Sequence, residues 1–288
     1  MEPKRFALPP VAIDRAETNV QLLELWLHGR GPHTRRAYRA DISRFLASAG
    51  KPLGQVTLAD LQAFADSLTA LAPTSRARAL SAVKSLLAFG HRLGYLPFDV
   101  GGALRLPPSK ATLTERILEE GDVHRLIALE PDARNHALLR LFYASGVRVS
   151  ELCALRWRDV QTRREGGQVT IYGKGAKTRA VVLPSGPWRE LAGIRGAAGP
   201  DGPVFISRVG GALSTSQAWR IVRAAAIRAG IPANVSPPWL RHAHASHALD
   251  RGAPIHLVQA TLGHSSVATT GKYLHARPTE SSGKYLAV

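Results

Sequence analysis

A proline-marked break, Leu106-Pro107-Pro108-Ser109-Lys110, cuts this chain into two parts with different patterning, and that division limits the folds open to it. Proline lacks the donor that a helix interior needs and restricts the residue before it, so tandem prolines read as an extended connector. Before the break, apolar residues recur at helical spacing from about Arg15 to Arg105. Leu22, Leu23, Leu25 and Trp26 form one group, and Tyr38, Ile42, Phe45 and Leu46 form another at i, i+4, i+7 and i+8. Thr34 is a candidate N-cap for that second helix. A third helix opens at Leu58 or Asp60 and continues through Leu61, Phe64, Ala65 and Leu68. A fourth carries Leu80, Val83, Leu86, Leu87 and Phe89, and Gly90 with Gly94-Tyr95-Leu96-Pro97 closes it. Residues 1–13 read as a loose arm. The spacing predicts a compact four-helix module over residues 1–105, a linker over 106–113 and a second domain over 114–288.

The second part mixes periods. Helices resume from about Glu119 through Trp157. Gly167-Gln168-Val169-Thr170-Ile171-Tyr172-Gly173 alternates like a strand, and Thr178-Arg179-Ala180-Val181-Val182-Leu183 alternates back, with Lys174-Gly175-Ala176-Lys177 as the hairpin tip. Helices return at Ser214–Ala229, Leu240–Asp250, Pro254–Thr261 and Ser266–His275. The fold class expected is mainly α with a small β-sheet.

The 288 residues carry a formal net charge of +17, spread as +7 over residues 1–112 and +10 over the remainder. A balance of this kind favours polyanionic partners and salt-sensitive association. A GC-rich genome, which inflates arginine, is the bland alternative. No run of about 18 apolar residues is present, and Met1-Glu2-Pro3-Lys4-Arg5-Phe6 lacks the apolar core of a signal peptide, so no membrane association is expected. The single cysteine, Cys153, reads as a small buried hydrophobe in a reducing, cytoplasmic setting. There is no GxxxxGK[ST] phosphate loop.

Three strings carry chemistry. Leu262-Gly263-His264 leads into Thr269-Thr270-Gly271-Lys272-Tyr273-Leu274-His275. Upstream lie Ser236-Pro237-Pro238-Trp239-Leu240-Arg241-His242, and before them Gly146-Val147-Arg148-Val149-Ser150-Glu151-Leu152. In this order they resemble the tyrosine recombinases (phage integrases), most closely the Xer-like members, over roughly residues 114–288. The first part resembles the family more softly, through its four helices and the Thr34, Tyr38, Phe45 pattern. The resemblance implies an N-terminal helical core-binding domain and a mixed α/β catalytic domain.

Cleavage of a phosphodiester by a hydroxyl needs a nucleophile in line, donors on the non-bridging oxygens and an acid for the leaving oxygen. Without a metal, arginine and lysine must supply these. The resemblance assigns Tyr273 as nucleophile, with cations near it expected to favour its ionisation, and Arg148 and Arg241 as phosphate clamps. It assigns Lys174 as general acid, with Lys177 as the competing choice, and His264 as phosphate donor or proton carrier. Glu151 reads as a residue that orients an arginine. No metal and no cofactor are expected. One position departs from the pattern: the histidine expected three residues before Arg241 is Pro238. His242 and His244 are candidates to support the site, His244 by its placement three residues after Arg241. Thr34, Arg35, Arg36, Arg39, Arg76, Arg78, Lys84, Lys177 and Arg179 are expected to contact DNA.

The resemblance further implies a clamp around double-stranded DNA with inverted-repeat sites. Four protomers would act on two such sites, or this chain with a partner recombinase, exchanging strands through a Holliday junction. A C-terminal tail would dock on a neighbour. Other readings remain open: a type IB topoisomerase-like enzyme, a DNA-binding regulator with cleavage weakened or lost, and a metal-dependent nuclease suggested by His242-Ala243-His244-Ala245-Ser246-His247.

Overall fold

A computed structural model of the chain describes residues 18–107, 113–173, 178–231 and 234–274. The chain divides between residues 110 and 111 into two compact units.

The first unit is helical: α1 (Asn19–Leu27), α2 (Pro32–Ala49), α3 (Leu58–Ser67) and α4 (Pro73–Arg92). Thr18 caps α1 and Thr57 caps α3, each through its side chain, and each donates its own backbone N–H back to the side chain of the third helical residue. Proline opens α2 and α4, where its missing N–H costs nothing. The expected cap at Thr34 is not formed. Gly31 is the N-cap of α2, and Thr34 lies inside the first turn. The core joins Leu22, Trp26, Ile42, Phe45, Leu61, Phe64, Leu80, Val83, Leu86 and Leu87, all buried. These are the periodic positions of the sequence, so apolar burial explains why the four helices gather.

The second unit contains α5 (Glu120–Ala128), α6 (Ala133–Ser145), α7 (Val149–Ala154), β1 (Val160–Arg163), β2 (Gly166–Tyr172), β3 (Thr178–Leu183), α8 (Ser185–Gly193), α9 (Thr215–Arg228), α10 (Pro237–Asp250), α11 (Ile255–Leu262) and α12 (Val267–Leu274). The sheet is antiparallel in the order β1-β2-β3, with Val169 opposite both Val160 and Val181. Val169, Ile171, Val181 and Leu183 turn inward from alternate positions into a core with Leu138, Phe142, Leu152 and Leu240. Cys153 is buried there, and desolvation pushes its thiol up to about 11. β1 and α8 are additions to the elements expected from sequence. α10 begins at Pro237, a turn earlier than its apolar pattern suggests, because both prolines fit a first turn. No helix of the described residues is long and apolar enough to cross a membrane.

Candidate active site

The site is built where the ends of α6, α7 and α11 meet β3 and α10. α6 stops at Gly146, whose φ of +58° is left-handed. A Cβ at this position would lie 2.7 Å from both His244 and Leu262, so only glycine lets α6 end this close to α10 and α11. Val147 is buried, and Arg148 follows as N-cap of α7.

Glu151, one turn into α7, organises the cations. Its carboxylate accepts from the Arg148 backbone N–H at 2.8 Å, from Arg148 Nη1 at 2.9 Å, and from Arg179 Nη1 and Nη2 at 3.0 and 2.7 Å. Burial alone would raise the Glu151 pKa. The hydrogen bonds from Arg179 and Arg148 outweigh it and hold the carboxyl at about 2. Arg179 also donates from Nε to the Thr261 carbonyl at 2.7 Å. It was expected to touch DNA; the structure instead ties it, nearly buried, between β3 and α11.

Arg241 is buried on α10. Its Nη1 donates to the Gly146 carbonyl and its Nη2 to the Leu262 carbonyl at 2.7 Å, so one guanidinium fastens the ends of α6 and α11 together. Burial, then repulsion from Arg148, lowers its pKa to about 10, which leaves it charged at neutral pH. A guanidinium carries five N–H donors, so these two bonds leave others for an anion.

α11 ends at Gly263, left-handed at φ +67°. The chain turns there so that His264 donates its backbone N–H to the Gln259 carbonyl, while Gln259 Nε2 donates to the His264 carbonyl. The His264 ring lies 2.9 Å through Nδ1 from the Thr270 hydroxyl, which is buried in α12. Desolvation and the nearby Arg241, Arg148 and Arg179 lower its pKa to about 4. Thr270 has no role implied by the sequence motif that contains it. Its six-residue offset from His264 carries no signal that the two side chains meet.

Tyr273 is 5 % exposed, packed against Ile117, Ala245, Val258 and Leu262. Its ring lies parallel to that of His264, centroids 6.5 Å apart. Its hydroxyl is 2.8 Å from His242 Nδ1. Burial raises its pKa, and Arg241 offsets this only in part. The expected net help from cations is therefore reversed in the described structure, because desolvation wins.

Pro238 is exposed, second in α10 and one turn before His242. His244 does not share the tyrosine's surroundings. Its Nδ1 is 2.7 Å from the Tyr143 carbonyl, on the side of α10 that faces α6. His247 Nδ1 lies 3.0 Å from the Tyr143 hydroxyl on that same side. Two histidines of the HAHASH string thus meet Tyr143, while His242 meets Tyr273. Lys174 and Lys177 lie outside the described residues, as do the first 17 residues and the tail from His275. An open cleft is lined by Arg148, Arg179, His264 and Ser265, and by Gly173 and Thr178, which flank residues 174–177.

In the first unit, Arg35, Arg36 and Arg39 project from α2, with Arg39 2.5 Å from Glu24 and Arg35 3.9 Å from it. Arg76 is half-buried beside Gln62 and Asp66. Two expected DNA contacts are engaged internally. Arg78 makes a two-point bond to buried Asp41, at 2.9 and 3.1 Å. Lys84 donates to the Gly102 and Leu104 carbonyls at 3.1 and 2.7 Å. A buried carboxylate and a turn of orphan carbonyls each need a cation more than solvent does.

Two family models match the chain: "Phage integrase family" over residues 116–280, and "Phage integrase, N-terminal SAM-like domain" over residues 22–94. The chain is 37% identical over 255 residues to a tyrosine recombinase XerC of Xanthomonas campestris pv. campestris (strain B100), covering 84% of this chain and 78% of the relative. It is similar to the crystal structure of XerA recombinase, at 26% identity and a TM-score of 0.52, covering 90% of this chain and 95% of the other. The fold also matches a lambda integrase tetramer bound to a Holliday junction, at 17% identity and a TM-score of 0.74, covering 93% and 80%.

Proposed function

The chain belongs to the phage integrase family and is a tyrosine-type site-specific DNA recombinase, and from that premise we propose that Tyr273 is its nucleophile. Its hydroxyl attacks a DNA phosphate and displaces the 5′ oxygen, leaving a 3′-phosphotyrosyl ester. Arg148 and Arg241 hold the non-bridging oxygens, and Glu151 fixes the first of them through its guanidinium. His264 donates to the same phosphate. Lys174 gives the 5′ oxygen its proton. The ester keeps the bond energy for rejoining, so no nucleotide is consumed.

One observation carries this reading. The Tyr273 ring is stacked parallel to His264, and its hydroxyl reaches the histidine that follows Arg241. Residues from two of the three sequence motifs thus meet at this tyrosine, and one of them reaches its hydroxyl. Double-stranded DNA with inverted-repeat sites is the partner. Four copies acting on two sites, or this chain with a second recombinase, is the assembly in view, in keeping with the tetramer of the lambda neighbour. The exposed arginines of α2 supply sequence-independent grip on the backbone.

A library of nicked duplexes with randomised half-sites tests the chemistry. Wild type should be captured as a protease-sensitive adduct on a 3′ phosphate, and the recovered sequences should share an inverted repeat. Tyr273→Phe should bind the recovered site and form no adduct. An adduct that persists in that variant would move the nucleophile elsewhere.

A further inference from the structure

Tyr273 must lose a proton as its oxygen bonds phosphorus, and its environment makes that loss harder. Burial raises the phenol above its ordinary value near 10, and Arg241 only partly offsets this. A base within hydrogen-bond reach is therefore required. Three described groups near Tyr273 or the cations beside it have the chemistry to serve. Glu151 already accepts from Arg148 and Arg179, and its carboxyl sits at about 2. His264 lies parallel to the tyrosine ring, centroids 6.5 Å apart, and bonds through Nδ1 to Thr270. His242 places Nδ1 2.8 Å from the Tyr273 oxygen.

We propose that His242 is the base that accepts the Tyr273 proton at Nδ1 during cleavage and returns it during rejoining. The step balances within the groups named. The Tyr273 O–P bond forms and the P–O5′ bond breaks. The phenol proton goes to Nδ1, and the 5′ oxygen leaves with a proton from the acid assigned to Lys174. In the reverse direction the 5′ hydroxyl attacks, and imidazolium at His242 protonates the departing tyrosine oxygen.

Helix geometry explains why this residue can reach. Position 242 is one turn after position 238, and i and i+4 share a face. Side chains on a helix lean toward its N-terminus, so the His242 ring covers the surface beside Pro238, which has no group to donate or accept there. The groups facing His242 are Tyr273 from α12, Arg241 from its own helix, and Arg116 from the turn before α5; His264 lies nearby. Desolvation first, then Arg241 and Arg116, lowers its pKa to about 4, so the imidazole is neutral and able to accept. A phosphate bound at Arg241 would add negative charge beside it and raise its basicity when the proton moves.

The proposal rests on Tyr273 being the nucleophile, so the tests separate the two claims. Nitrogen-15 spectra of the full chain should show His242 as the Nε2–H tautomer with Nδ1 unprotonated. An Nδ1–H tautomer would make it a donor to the tyrosine and overturn the proposal, whatever the DNA assay gives. On the recovered nicked duplex, wild-type adduct formation should be level from about pH 5.5 upward. His242→Ala should be about 100-fold slower or more at pH 7 and should gain tenfold per pH unit, as the tyrosinate fraction does. A fluorinated tyrosine of lower pKa at position 273 should recover rate in that variant and do little in wild type. His242→Asn keeps polarity without basicity and should show the same slope. If both variants are slowed equally at every pH, or not slowed, His242 is a packing residue and the Tyr273 assignment stands. If Tyr273→Phe still forms adduct, both claims fall.

Discussion

Glu151 grips Arg179 at two points, 3.0 and 2.7 Å, and reaches the Arg148 guanidinium at 2.9 Å with the same carboxylate. One buried anion thus sets two cations, while Arg241 is held separately by backbone carbonyls. The cleft keeps a positive excess although its arginines are each tied down, which is the condition for preorganised binding of a phosphate.

Removing that anion should be expensive. Glu151→Gln leaves nearly buried Arg179 without its counter-charge, and breaking one side of a buried pair costs roughly 3–5 kcal/mol. Urea unfolding should show a loss of this size, and adduct formation should fall because Arg148 loses its anchor. Stability within about 0.5 kcal/mol of wild type would mean that solvent replaces the pair.

Arg179 and Arg36 should separate in a salt titration of DNA binding. Arg36→Ala removes an exposed cation on α2 and should lower the salt slope by about one. Arg179→Ala should leave the slope unchanged while destabilising the fold and slowing cleavage. A reduced slope for Arg179→Ala would restore it as a DNA contact.

These arginines also show what sequence could and could not reveal. Leu22 with Trp26, and Tyr38, Ile42 and Phe45, were legible as helix faces because burial follows a local period. β1 was not, since only Val160 of its four residues is buried and no alternation exists to detect. α8 was hidden by Gly186 and Pro187 near its start, residues that read as turn signals yet fit a first turn. The motif residues Arg148, Arg241, His264 and Tyr273 were legible through their order in the chain. Their partners were not. Arg78 finds Asp41 across 37 residues, and His242 finds Tyr273 across 31, and neither separation leaves a periodic trace. An arginine bound to a buried carboxylate and one facing solvent look the same in a string of letters.

Acid should weaken the second unit in two separate windows. His242 and His264 fold with pKa values near 4 against an ordinary 6.5, so the unfolded chain takes up protons first. Their contribution is complete above about pH 6.5 and is lost as pH falls toward 4. Glu151 folds near 2 against 4.5, so its contribution is lost between about pH 4.5 and 2. Both histidines are half-buried, and screening reduces the ideal 1.4 kcal/mol per pH unit for each to a combined loss on the order of 2 kcal/mol between pH 7 and 5. Urea midpoints followed by tryptophan fluorescence at pH 7.5, 6 and 5 would show it, and the loss should shrink in His242→Ala. A flat profile would place both histidines in a wetter setting than the structure describes.

Gly263→Ala should act on the site through Arg179. Its left-handed backbone costs an L-residue about 1–2 kcal/mol, and the new Cβ would sit 3.2 Å from Arg179 Cδ and Nη1. Arg179, held by Glu151 and the Thr261 carbonyl, must give by a few tenths of an ångström, which loosens those bonds. Thermal stability and adduct formation should both decline, whereas Gly271→Ala, in α12 with open space around its Cβ, should not destabilise.

Pro238→His gives the sharpest separation between the two ways of moving the tyrosine proton. The position is exposed, and it lies in a first turn where no helical donor is lost or gained, so the change should cost only about 0.4–1 kcal/mol through a freer unfolded chain. If His242 already accepts the proton, a second imidazole one turn away can add only a phosphate donor, and the wild-type rate should rise less than about tenfold. In a His242→Ala background the same substitution should do more, because positions 238 and 242 share a face and the ring at 238 could serve the vacated role. The two changes should therefore be non-additive in adduct formation, with rescue well beyond the single-variant gain. Equal gains in both backgrounds would mean that the two positions act independently. His242 would then be no substitute for a side chain at 238, and the tyrosine proton would have to leave by another route.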